Sequence, residues 1–169
     1  VGFTVNDLRL EAIEKVIKNV DVLAKALPSN PNFLGISEGP FSYPVIDQIL
    51  DPAFDDFTDK AVDLVQGAIN KAESEGVKRS AGVLYWEKEA NYLTSSNGAN
   101  GSYMATSYEF TIRSFVDSKS SGQGVSVGRL ASTMDFEIAG EEAGQIAKMS
   151  VGGENGKPGK YNVILSPTV

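Results

Sequence analysis

The aspartates at positions 51, 55, 56, 59 and 63 crowd into one short stretch, and hard carboxylate oxygens at that density are what calcium selects. A calcium loop also needs a glycine at its sharp turn and a distal glutamate, and the spacing of Asp51, Asp55, Asp56, Asp59 and Asp63 supplies neither. The run reads as a solvated helix start, where negative charge complements the helix dipole. Residues Gly124-Val125-Ser126-Val127-Gly128 match G-x-S-x-G, the strained turn that exposes a nucleophilic serine beside its base. The chain contains no histidine to be that base. The pattern also lies within a strand, so a strand lightened by glycine is the better reading of Ser126. Glu87 and Glu89 point to one face of a strand and could divide acid and base roles if a pocket drove their pKa values apart. With Asn91 beside them they read as a wet face. The glycines of "GGENGKPGK" suggest a phosphate loop, yet neither Lys157 nor Lys160 has the required upstream glycine or a following Ser or Thr. Asn100-Gly101-Ser102 is formally a glycosylation acceptor and carries no weight without a sign of secretion. No catalytic, cofactor-binding or metal-binding residue is nominated.

The bulk composition narrows the partners. A net charge of -7 and a pI near 4.6 disfavour a phosphate-tracking surface, because nucleic-acid affinity comes mostly from clustered Lys and Arg. Direct nucleic-acid binding is not expected. No apolar run approaches the roughly 20 residues of a membrane span, and "VGFTVNDLRLEAIEK" lacks the basic-then-apolar order of a secretory signal. The expected location is cytoplasmic, and the absence of cysteine fits that compartment.

At the start of the sequence, "VGFTV" reads as a strand-like segment that delivers the chain into a helix. With Asn6 as N-cap, the apolar spacing from Leu8 to Leu27 predicts a helix over about Asp7 to Ala26, stopped before Pro28. Pro28, Pro31, Pro40, Pro44 and Pro52 then make 28–57 an extended link, with Phe33, Phe41, Tyr43 and Ile49 as its expected anchors. A second amphipathic helix is predicted from about Thr58 to Glu75, closed by Gly76. From Ser80 the period becomes two, and the Asn-Gly pairs of "SSNGANGSY" predict the tip of a long hairpin. Trp86, Tyr92, Tyr108, Phe110 and Ile112 fall on its apolar face, and Glu87, Glu89, Glu109 and Arg113 on the other. The helices from Asp7 and Thr58 are the expected cover. A third strand is expected near Val125 to Leu130, and "DFEIAGEEAGQIAKM" predicts a third helix weakened by Gly140 and Gly144. A closing strand is expected at Tyr161 to Leu165, stopped by Ser166-Pro167. The fold class is α+β, a long-stranded, mainly antiparallel sheet with helices packed on one face, and 1–169 is expected to be one domain.

The linear order of these pieces resembles the TldD/PmbA family, known as modulators of DNA gyrase and as zinc-dependent proteases. "GFTVNDLRLEAIEKVIKNV" is similar to the family's "GF.STNDLS" segment, and "LPSNPNFLGISE" to its "PPDP.F.GLPE" link. "ILDP" follows, then "ANYLTSSNGANGSYMATSYEFTIRS", similar to its "NS.G.....T" hairpin, and "GKPGKYNVILSPTV", similar to "PG.Y.VVLSP". The resemblance implies that the chain is the N-terminal, non-catalytic region of a longer protein, shortened at both ends. It also implies a zinc motif, H-E-x-x-x-H, soon after the segment corresponding to "YNVILSP" in the TldD branch and its absence in the PmbA branch. The link "PSNPNFLGISE" leans toward the zinc-less branch. None of the family's zinc or catalytic residues maps onto a position of this sequence. The implied function is a scaffold and peptide-enclosing region, in a homodimer or a TldD/PmbA heterodimer, with zinc-dependent hydrolysis of flexible peptides by the full-length complex. The alternative is a non-enzymatic interaction or assembly module.

Overall fold

The structure is a computed structural model and describes residues 1–165; the Ser166-Pro167 strand stop expected above lies outside them. Residues 1–39 and 40–169 form two separate compact units.

The first unit holds helix α1, Leu10–Ala26. Its start differs from the expected Asn6 cap. Arg9 occupies the N-cap, and the Asp7 carboxylate accepts the Arg9 backbone N–H at 3.1 Å while pairing with its guanidinium, so the first turn opens later. The helix ends before Pro28, as the restricted backbone ahead of a proline requires. No residue of α1 is buried.

The second unit follows an irregular stretch that leads through a short 3-10 turn, Phe54–Asp56, into α2, Phe57–Ser74. Gly76, at φ 91°, adopts the left-handed conformation that ends this helix, as its position predicts. Strands β1 (Arg79–Thr94), β2 (Asn100–Phe115) and β3 (Ser121–Gly128) form an antiparallel sheet in the order β1-β2-β3. Helix α3, Phe136–Met149, closes the unit, with Asp135 capping it by accepting the Ile138 N–H at 3.1 Å. The α+β class with helices on one face of the sheet is therefore correct, and the covering pair is α2 and α3.

Pairing of Trp86 with Tyr108 and of Leu84 with Phe110 fixes the hairpin in the expected phase. Tyr108, Phe110 and Ile112 are buried beneath the helices with Phe57 and Phe136, while Glu87, Glu109 and Arg113 are exposed. Rings meet edge to face: Phe57 lies 4.7 Å from Tyr108 and 5.4 Å from Trp86 between centroids. Tyr92 departs from the expectation. It shares the phase of the core but is 80% exposed, because the distal hairpin extends past the helices that would cover it. Of the Asn-Gly pairs only Asn97-Gly98 makes the turn, with Gly98 at φ 89°; Asn100-Gly101 already belongs to β2. Strand β3 begins earlier than expected, at Ser121, since its pairing starts directly beyond the Asp117 turn.

Helix propensity marks Gly140 as a weak point, but the packing shows why it is there. A Cβ on Gly140 would collide with the Ala68 carbonyl of α2, and one on Gly124 would collide with the Ala139 carbonyl of α3. Small residues let α2, α3 and β3 approach backbone to backbone, a gain that offsets the roughly 1 kcal/mol cost of glycine within a helix. The expected closing strand is absent: residues 161–165 carry no strand pairing, and Val163 and Ile164 are exposed.

Candidate functional site

The most enclosed polar chemistry in the second unit centres on Asp51, which is only 7% exposed. The link delivers it there by main-chain contacts. The Ile49 carbonyl accepts the Thr106 N–H at 2.8 Å, and the Asp51 N–H donates to Thr106 Oγ1 at 2.8 Å. Thr106 in turn donates to the Arg129 carbonyl at 2.6 Å. The link thus extends the pairing of β2 past the end of β3. Its anchors are these contacts together with Tyr43 Oη, which accepts the Asn100 N–H at 3.0 Å. Of the expected anchors, Phe41 and Ile49 are partly buried, whereas Phe33 and Tyr43 are exposed.

Each oxygen of Asp51 is occupied. Oδ1 accepts the Ala53 N–H at 2.8 Å, and Oδ2 accepts both Tyr108 Oη at 2.9 Å and the Ala131 N–H at 2.7 Å. Burial alone would raise the carboxyl pKa, but the bonds from Ala131, Ala53 and Tyr108 together outweigh it and hold the group below its ordinary value. Burial, and then the neighbouring carboxylate, push the Tyr108 phenol upward, so it stays a protonated donor. Three donors from separate elements therefore converge on this one carboxylate. The arrangement is a clamp joining the link, β2 and the turn before α3. Sequence reasoning placed Asp51 in a solvated acidic run and missed this role. The available signal was Asp-Pro directly after Ile49-Leu50, together with a lone threonine in register with the apolar face of β2.

The other candidates are dispersed. Asp55 is exposed and pairs with Lys88 at 2.7 Å, well apart in role from Asp51. Ser126 sits in β3 opposite Phe110, and its Oγ accepts the Asp135 N–H at 2.9 Å, which helps set the start of α3. Glu87 accepts from Tyr85 Oη at 2.6 Å and Ser107 Oγ at 3.3 Å on the exposed face. Lys157 and Lys160 lie in an irregular exposed segment. Zinc sites are built from Cys, His and acidic ligands, and no group of three such residues comes together among the described residues. With no histidine or cysteine in the chain, the donor set does not fit a zinc centre.

An apolar groove lies on the other flank of the sheet. It runs between α2 and the outer edge of β1, over Gly82, and is lined by Val65, Ile69, Leu84, Phe110 and Ile112.

The sequence profile of the PmbA/TldA metallopeptidase central domain matches residues 51–151. No curated protein matches the chain significantly. Among solved structures, the fold is similar to that of a Bacteroides thetaiotaomicron protein described as a candidate modulator of DNA gyrase. The TM-score is 0.76 at 17% identity, over 94% of this chain and 38% of that one. A Thermotoga maritima protein of the same description gives a TM-score of 0.69 at 15% identity, over 93% of this chain and 36% of that one. The chain therefore spans less than two fifths of the length of these structural relatives.

Proposed function

This chain belongs to the PmbA/TldA metallopeptidase family through its central domain, and from that premise we propose that residues 1–169, with the link 28–57, act as a non-catalytic scaffold and assembly module. The observation that carries this reading is the donor set: a metallopeptidase-family segment without a histidine or cysteine, whose best-buried carboxylate is fully engaged in holding the fold. Its contribution is to shape, enclose and join. The hydrolytic groups then belong to other parts of a TldD/PmbA-type assembly, whose reaction is zinc-dependent hydrolysis of flexible peptides in the cytoplasm. The subunits pair as a homodimer or as a TldD/PmbA heterodimer. The descriptions of the structural relatives as candidate gyrase modulators fit an indirect role, since an acidic chain is a poor direct ligand for DNA.

The test is substitution in the full-length assembly. Ser126→Ala and the double change Glu87→Gln, Glu89→Gln should leave kcat for peptide hydrolysis within about twofold, because positions away from the chemistry make no transition-state contact. A loss of about a hundredfold or more at any of them, with the fold intact by circular dichroism, would overturn the scaffold reading.

A further inference from the structure

We propose that β1 is an assembly strand, pairing antiparallel along its free edge with β1 of a second copy, with Val83 on the two-fold axis. The inference rests on the assembly reading and adds to it a face and a register.

Three main-chain bonds set the phase of the edge. Val116 N–H donates to the Ser120 carbonyl at 3.1 Å and Thr106 N–H to the Ile49 carbonyl at 2.8 Å, so even-numbered residues of β2 turn their backbone groups away from β1. Ser95 N–H donates to the Ala99 carbonyl at 2.9 Å, which places the odd-numbered residues of β1 in hydrogen-bonded pairs with β2. The N–H and C=O groups of Ser80, Gly82, Leu84 and Trp86 consequently face outward, along an edge that no strand pairs with among the described residues. A long exposed edge of this kind is a template for strand addition.

Charge chooses the register. Arg79 stands at the start of β1, its guanidinium held over the Phe115 ring at 4.5 Å, and Glu87 stands further along on the same exposed face. Antiparallel self-pairing centred on Val83 sets Arg79 of each copy directly opposite Glu87 of the other, giving two ion pairs. Like charges meet only beyond this ladder, where Lys78 faces Lys88, and Lys88 is already neutralised by Asp55 at 2.7 Å. The same register serves the opposite face. It brings Leu84 of one copy across from Gly82 of the other, at the mouth of the groove lined by Val65, Ile69, Phe110 and Ile112. Val83, 59% exposed, would meet its own counterpart. A shift of the centre to Leu84 would instead oppose Gly82 with Trp86, a ring already packed edge-on against Phe57.

The experiment uses the full-length protein carrying Val83→Cys. At the two-fold axis residue 83 forms a non-hydrogen-bonded pair, with Cα atoms about 4.5 Å apart, within disulfide range. Mild oxidation should therefore convert Val83→Cys into a covalent dimer, while the unsubstituted protein and Gln123→Cys, on the exposed face of β3, stay unlinked. Independently, Arg79→Glu should raise the dimer Kd by about tenfold or more in sedimentation, and adding Glu87→Arg should restore it. A protein that dimerises without linking at position 83 would overturn the β1 edge while leaving the assembly reading intact. A protein that is monomeric, or whose dimer ignores Arg79→Glu, would also overturn it.

Discussion

Tyr108 Oη donates to Oδ2 of Asp51 across 2.9 Å, joining the central strand of the sheet to the end of the proline-rich link. That bond and the Ala53 and Ala131 N–H groups fix a buried carboxylate at the junction of elements far apart in sequence. Tyr108→Phe removes one donor to a charged acceptor and should cost about 1.5–3 kcal/mol. Asp51→Ala strands the Ala53 and Ala131 N–H groups and the phenol together, so it should cost more than Tyr108→Phe. Urea denaturation of both variants gives the comparison, and equal midpoints would show that the clamp is not the source of the stability.

The same carboxylate sets a pH dependence. Its folded-state pKa is depressed, so its contribution is fully present above the unfolded value and is lost as pH falls through the folded value. Wild-type stability should therefore decline in acid more steeply than that of Asp51→Asn, and the two should run parallel at neutral pH. Urea midpoints measured across the acid range give the slopes. Identical slopes would mean that Asp51 does not bind its proton differently on unfolding.

On the sheet, phase decides the cost of truncation. Phe110 is buried, with its ring centroid 5.0 Å from that of Phe136, whereas Thr111 is only partly covered on the other face. Phe110→Ala should cost about 3–5 kcal/mol and Thr111→Ala under about 1 kcal/mol. Equal losses in denaturant midpoint would contradict the face assignment.

Much of this sheet was legible because alternation has a short memory: Trp86, Tyr108, Phe110 and Ile112 need only their neighbours to declare a face. The hidden parts depend on residues far away. Tyr92 has the right phase, yet its exposure follows from where α2 and α3 stop covering the hairpin. Helix α1 has a well-formed apolar spacing yet holds no fully buried residue, since amphipathicity says that a face can be covered and not by what. Asp51 looked like one more surface acid, because its partners Thr106, Tyr108 and Ala131 lie in other elements. Gly124 offered a nucleophile motif by spacing, while the reason for the glycine is the Ala139 carbonyl above it.

That last contact makes the glycines informative. Gly140→Ala should raise intrinsic helix propensity by about 1 kcal/mol, yet it drives a methyl group into the Ala68 carbonyl. Overpacking of this kind costs about 1–3 kcal/mol or more, so the variant should be destabilised on balance. A rise in melting temperature for Gly140→Ala would show that α2 and α3 can separate without loss.

The central claim is that this segment of a metallopeptidase-family protein holds shape and partners and does not hold the metal. Calorimetric titration of residues 1–169 with zinc tests it most directly. No site of sub-micromolar affinity is expected, because scattered carboxylates without imidazole or thiolate make a poor tetrahedral ligand set. One stoichiometric zinc bound with sub-micromolar affinity, accompanied by peptide cleavage that survives Ser126→Ala, would contradict it.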